Sequence, residues 1–226
     1  SGESFCSPGG FGVEGDELDA IAREVLGAAK AEAQVAVVVG GGNFIRGAAL
    51  SKTVTFPQAA ADAMGMLGTL INAVALSEQL RSLGADARAV SAIPCGGVAE
   101  LFSRTECVRH LEAGRIVVLG AGTGNPFFTT DTCASLRASE LGCDILLKAT
   151  KVDGVYSADP KTDPKATRFD RLTFDEALHR NLKVMDLAAL AMCQEQKMPL
   201  LVFDFHTRGN IAKAVKGGAI GTLVTP

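Results

Sequence analysis

The run Arg115-Ile116-Val117-Val118-Leu119 is apolar enough to be a buried strand. It opens into Gly122-Thr123-Gly124-Asn125-Pro126-Phe127-Phe128-Thr129-Thr130-Asp131, and a helical pattern follows from Thr132 to Leu141. A strand that ends in a Gly-rich loop and turns directly into a helix confines the chain to a narrow set of α/β architectures. It also has a chemical consequence. The N–H groups around such a junction have no partner inside the helix, and the helix N-terminus carries a partial positive charge. An anion, a phosphate above all, is well placed there, and the hydroxyls of Thr123, Thr129 and Thr130 add donors. The segment reads as a ligand loop, and its ligand as phosphorylated.

The same alternation continues along the chain. Helical patterns near residues 16–33, 58–83, 104–113, 132–141, 173–180, 186–197 and 210–216 are interleaved with strand-like runs at 34–39, 87–93, 115–119, 144–148, 200–205 and 221–224. Continuous apolar strands separated by helices indicate a parallel sheet covered on both faces. The expected fold class is α/β, a three-layer α/β/α sandwich around a mainly parallel central sheet. Residues 151–173 lapse into a polar loop rich in Asp, Pro and Lys. With no repeat, low-complexity tract or linker in 226 residues, one domain spanning 1–226 is expected. Ligands of open parallel sheets bind beyond the carboxyl ends of the strands, where the loops 40–47, 120–131 and 149–160 all fall.

Composition narrows the function. Hydrophobic residues make up 47% of the chain, enough for a substantial core, and the formal net charge is −3. General attraction to nucleic acid or an anionic membrane is therefore not expected. An anionic ligand must be held by local geometry and a few placed cations. No apolar run approaches the roughly 18 residues needed to span a bilayer, and no leader peptide is expected. The six cysteines are scattered without a C-x-x-C pair, which suits buried thiols in a reducing cytoplasm. The three histidines are equally dispersed, so no metal site is assigned.

Gly40-Gly41-Gly42-Asn43-Phe44-Ile45-Arg46-Gly47 follows the strand near 34–39. Glycines let the backbone approach a ligand closely, and Arg46 offers a planar cation suited to phosphate oxygens. The run matches neither G-x-G-x-x-G nor G-x-x-x-x-G-K-[ST], so neither a Rossmann oxidoreductase nor a P-loop kinase is supported. Asp62 is a lone carboxylate in an apolar helical stretch, suited either to the helix dipole or to a sugar hydroxyl. Thr150-Lys151-Val152-Asp153-Gly154-Val155-Tyr156-Ser157-Ala158-Asp159-Pro160 reads either as a polar surface loop or as a seat for a base and its ribose. Asp186, taken alone, reads as a helix N-cap.

Together and in this order, these loops resemble those of the bacterial uridylate kinases, of the amino-acid-kinase fold family. The match runs from Ser1-Gly2-Glu3 through the Gly40 and Gly122 loops to Lys148–Pro160 and Lys183-Val184-Met185-Asp186-Leu187-Ala188-Ala189, nearly the whole chain. The resemblance implies ATP-dependent phosphorylation of UMP to UDP with Mg²⁺, in the cytoplasm, by a homohexamer responsive to GTP and UTP. It places UMP against Gly41, Arg46, Asp62 and the loop Thr123, Gly124, Asn125, Pro126, Phe127, Phe128, Thr129 and Thr130. Arg46 then meets the UMP phosphate and Asp62 accepts from the ribose. ATP lies against Gly42, Thr150, Tyr156 and Asp159, and the catalytic roles fall to Asp186 and Arg46.

Two departures stand out. The family has a strand ending Lys-x-Ser-Gly-Glu, whereas this sequence begins at the Ser of that motif. The first strand and its lysine are thus expected to be missing by trimming, with Asp186 the acidic residue that would position that lysine. Residues 52–61 contain Phe56-Pro57 and lack an expected arginine, which bears on subunit contacts and effector response. The rival readings are a small-carboxylate kinase of the same fold and a catalytically silent nucleotide-binding or storage protein.

Overall fold

The computed structural model describes residues 2–45, 55–160 and 162–226. Arg46 lies outside them. The chain forms two compact units, 1–130 and 131–226. The strands are shared between two four-stranded sheets, where the alternation alone suggested one, and parallel pairs predominate in both.

In the first unit a 3₁₀ turn (Gly2–Phe5) precedes α1 (Gly15–Ala29), β1 (Ala36–Val38), α2 (Gln58–Ser82), β2 (Ala87–Ser91), β3 (Glu100–Leu101), α3 (Arg104–Glu112) and β4 (Ile116–Gly120). The sheet order is β1-β4-β2-β3, and every pair is parallel. All five residues of β4 are buried. Since successive side chains point to opposite faces, both faces of this strand are covered. Ile116 and Val118 join Ala73, Leu76 and Leu80 of α2 and Ala22 and Val25 of α1 in one cluster.

By length and composition α2 can cross a membrane, which corrects the expectation that no such run exists. Within this unit one face of it packs into the core, while Leu67 and Ile71 stay exposed. Leu70, Ala73, Leu76 and Leu80 are buried, and α2 packs against β2 and β4.

In the second unit α4 (Thr130–Leu141, beginning one residue earlier), β5 (Leu146–Thr150), β6 (Arg171–Thr173), α5 (Phe174–His179), α6 (Leu187–Glu195), β7 (Leu200–Asp204), α7 (Asn210–Val215) and β8 (Thr222–Thr225) follow. The sheet order is β5-β7-β8-β6, with β5–β7 and β6–β8 parallel and β7–β8 antiparallel. A capping box opens α5: Thr173 accepts from the Glu176 N–H, and the Glu176 carboxylate accepts from the Thr173 N–H. Phe174, Leu190, Leu200, Val202 and Val224 centre the core.

Candidate active site

Parallel pairing positions the candidate loops of the first unit. Val38 lies opposite Leu119, and Ser91 opposite Gly120, so the chain leaves β1, β4 and β2 at one edge of the sheet. The Gly40–Asn43 and Gly120–Thr130 loops both start there, and α2 lies against each. A Cβ on Gly41 would sit 2.6 Å from the Gly65 carbonyl oxygen, and one on Gly120 3.0 Å from Leu70 Cα. Glycine at these two positions is a requirement of close packing on the helix backbone. At Gly42 a Cβ would meet only Glu3 Cγ at 3.8 Å; the need for glycine there does not come from the packing of this unit.

Hydrogen bonds hold the loops in place. The N–H groups of Phe44 and Ile45 donate to the Gly41 carbonyl at 3.0 and 3.1 Å. Buried Asn43 donates to the Gly12 carbonyl at 2.7 Å and to Asn72 Oδ1 at 3.0 Å. In the second loop the Gly124 N–H donates to the Ala121 carbonyl, and Ala121, Gly122, Gly124 and Phe127 all have positive φ. Thr123 donates its hydroxyl to the Asn125 carbonyl and accepts from the Asn125 N–H, both at 3.2 Å. That hydroxyl therefore shapes the loop. Asp62 accepts from the Phe127 N–H at 2.9 Å, while the rings of Phe127 and Phe128 are exposed. Of the residues assigned to UMP, Gly41, Asp62 and Thr123 to Thr130 are thus all in this unit.

The residues assigned to ATP, apart from Gly42, lie in the second unit, on and after β5. Thr150 donates to the Val152 carbonyl at 2.7 Å and accepts from the Val152 N–H at 3.0 Å, closing a tight turn. The Tyr156 hydroxyl donates to Asp153 at 2.7 Å, and Arg168 pairs with the other Asp153 oxygen at 3.1 Å. The bond to Asp153 holds the Tyr156 phenol above its ordinary pKa. The Asp159 carbonyl accepts from the N–H groups of Thr162 and Asp163. Asp186 is the N-cap of α6, accepting from the Ala189 N–H at 2.9 Å, and it also accepts from the buried Thr132 hydroxyl at 3.0 Å. Its capping role, the plain reading of the sequence, is realised, and a second anchor fixes its carboxylate.

Several residues here were given no role of their own in the sequence reading. Lys148 of β5 donates to Asp131 of α4 at 2.5 Å, which places a half-buried cation beside the helix start. Thr150 lies opposite Asp204 in the β5–β7 register, so the β7 loop flanks the Thr150 turn. There Asp204 accepts from Thr207 Oγ1 at 2.8 Å and from the N–H groups of His206 and Thr207. Burial pushes its pKa up, but these bonds outweigh it and the net shift is downward. Thr69 and Asn72 of α2 bind the first unit's loops. A polar residue inside the apolar run Leu70-Ile71-Asn72-Ala73-Val74 was the available clue.

The model of the Amino acid kinase family matches residues 1–204, and the chain belongs to that family. Within it, the chain is 50% identical to the uridylate kinase of Paramagnetospirillum magneticum, over 99% of this chain and 93% of that protein. It is 49% identical to the uridylate kinase of Streptomyces avermitilis, over 99% of this chain and 89% of that protein. The crystal structure of UMP kinase from Bacillus anthracis superposes with a TM-score of 0.96 at 35% identity, covering 99% of this chain and 92% of that one. The uridylate kinases are therefore the branch of the family to which it is similar throughout its length.

Proposed function

We propose that this protein transfers the γ-phosphoryl group of ATP to the phosphate of UMP, giving UDP and ADP for pyrimidine nucleotide biosynthesis. The observation that carries this reading is the paired glycine loops at one sheet edge, with Asp62 bonded to the backbone of the second. It draws further support from relatives named uridylate kinase at half identity over nearly the whole chain. Phosphoryl transfer asks little covalent chemistry of a protein; it asks for aligned anions and neutralised charge. In this reading Arg46 and the N–H groups of the Gly41 and Thr123–Thr130 loops receive the UMP phosphate, and Asp62 accepts from the ribose. Tyr156, Thr150, Asp159 and Gly42 hold ATP, Lys148 lends a cation to its phosphates, and Asp186 orients the cationic groups at the transferred phosphoryl.

Among the described residues no group of three or more His, Cys, Asp or Glu side chains can cage a metal. Mg²⁺ would arrive on the ATP phosphates, the usual manner of nucleotide-bound Mg²⁺; there it would offset negative charge. Residues 1–226 act as one catalytic domain in a cytoplasmic homohexamer, with GTP and UTP as effectors. The reading is tested by offering UMP, acetylglutamate and aspartate separately with Mg²⁺-ATP and measuring ADP release. Release driven by UMP alone is expected, and release driven by a carboxylate would replace the acceptor.

A further inference from the structure

Two buried polar side chains of α2, Thr69 and Asn72, are 7% and 0% exposed. A buried polar group is tolerated only where it is hydrogen-bonded, and the partners here are the two ligand loops. Asn72 Nδ2 donates to the Gly40 carbonyl and to Asn43 Oδ1, both at 2.7 Å, and Asn72 Oδ1 accepts from Asn43 Nδ2. The two amides therefore form a closed pair, which Asn43 extends to the Gly12 carbonyl. Less than one turn earlier, Thr69 Oγ1 accepts from the Ala121 N–H at 2.7 Å and donates to the Met66 carbonyl at 2.7 Å. Ala121 is fully buried with φ 60, a conformation that persists only where the surroundings enforce it.

We infer that Thr69 and Asn72 are positioning residues of the UMP site. One face of one helix fixes the spacing between the Gly40–Asn43 loop and the loop that begins at Ala121, so both meet the ligand without rearranging. The inference rests on the proposed UMP site. Its physical content is preorganisation: order built into the free protein need not be supplied by binding. A polar pair that merely filled the core would support stability and leave affinity unchanged.

The test uses Thr69→Val, which keeps the side-chain shape but leaves the Ala121 N–H unpaired, and Asn72→Leu, which keeps the volume. UMP affinity is measured by calorimetry without ATP, well below each variant's melting temperature. Both variants are expected to weaken UMP binding about 10-fold or more, beyond any change in Tm. A lowered Tm with unaltered UMP affinity in Thr69→Val would overturn the inference, and that variant decides alone if Asn72→Leu does not fold. Failure of the unaltered protein to bind UMP would instead overturn the site reading beneath it, a result told apart by its appearance without any substitution.

Discussion

The carboxylate of Asp62, in the second turn of α2, accepts a hydrogen bond from the backbone N–H of Phe127, 65 residues further along the chain. Helix and Gly120–Thr130 loop are thereby tied at the position where the ribose acceptor is proposed. In the proposed reading one side chain serves both the shape of the loop and the identity of the sugar.

Those two roles separate by substitution. Asp62→Ala removes the acceptor of the Phe127 N–H and is expected to weaken UMP binding roughly 10- to 100-fold, since a hydrogen bond to a charged group contributes about 1.5–3 kcal/mol. Asp62→Asn keeps an acceptor for the N–H but loses the charge, and is expected to narrow the preference for UMP over dUMP. Calorimetry with both nucleotides checks this. An unaltered UMP/dUMP ratio in Asp62→Asn would remove the ribose role.

Arg46→Ala is expected to weaken UMP binding by roughly 10- to 100-fold through loss of a charge-assisted phosphate contact. The affinity of uridine, which has no phosphate, should barely change. Equal losses for UMP and uridine would place Arg46 elsewhere.

Tyr156 is the only tyrosine in a chain without tryptophan, so ultraviolet absorbance of the phenolate titrates it alone. Its bond to Asp153 raises its pKa, and a raised pKa stabilises the protonated form. The contribution to folding is complete below the unfolded tyrosine pKa and is lost as pH rises through the folded value. The midpoint is expected above the free tyrosine value, and Asp153→Asn should bring it down. A midpoint unmoved by that substitution would deny the pairing.

Asp186 caps α6 and is also proposed to act at the transferred phosphoryl group. Asn and Asp cap helices about equally well, whereas replacement by Ala costs about 0.5–2 kcal/mol. Asp186→Asn is therefore expected to keep most of the thermal stability yet lose turnover at least 100-fold, while Asp186→Ala loses both. Full turnover in Asp186→Asn, measured as kcat at saturating substrates, would reduce Asp186 to a cap.

The parts of the fold that local pattern controls were readable. β4 and its loop follow from an apolar run broken by glycines, α2 begins at Gln58 as expected, and Asp186 caps its helix. The parts that depend on distant partners were hidden. β3 is only two residues, both exposed, on the edge beside β2. β6 falls within the polar stretch 151–173 and becomes a strand through pairing with β8. Nothing local distinguishes the antiparallel β7–β8 pair from its parallel neighbours. At the site, the glycine and threonine loops were visible as composition, but what fixes them was not. Asn72, Thr69 and the bond from Phe127 to Asp62 join residues far apart in sequence, and the Lys148–Asp131 pair depends on β5 lying beside the start of α4.

The central claim is tested most directly by following UDP formation from UMP with Mg²⁺-ATP, with CMP assayed in parallel at matched concentration. Rapid, ATP-dependent production of UDP with kcat/KM for UMP well above that for CMP is the predicted result. A folded protein that binds UMP and ATP yet forms no UDP would contradict it.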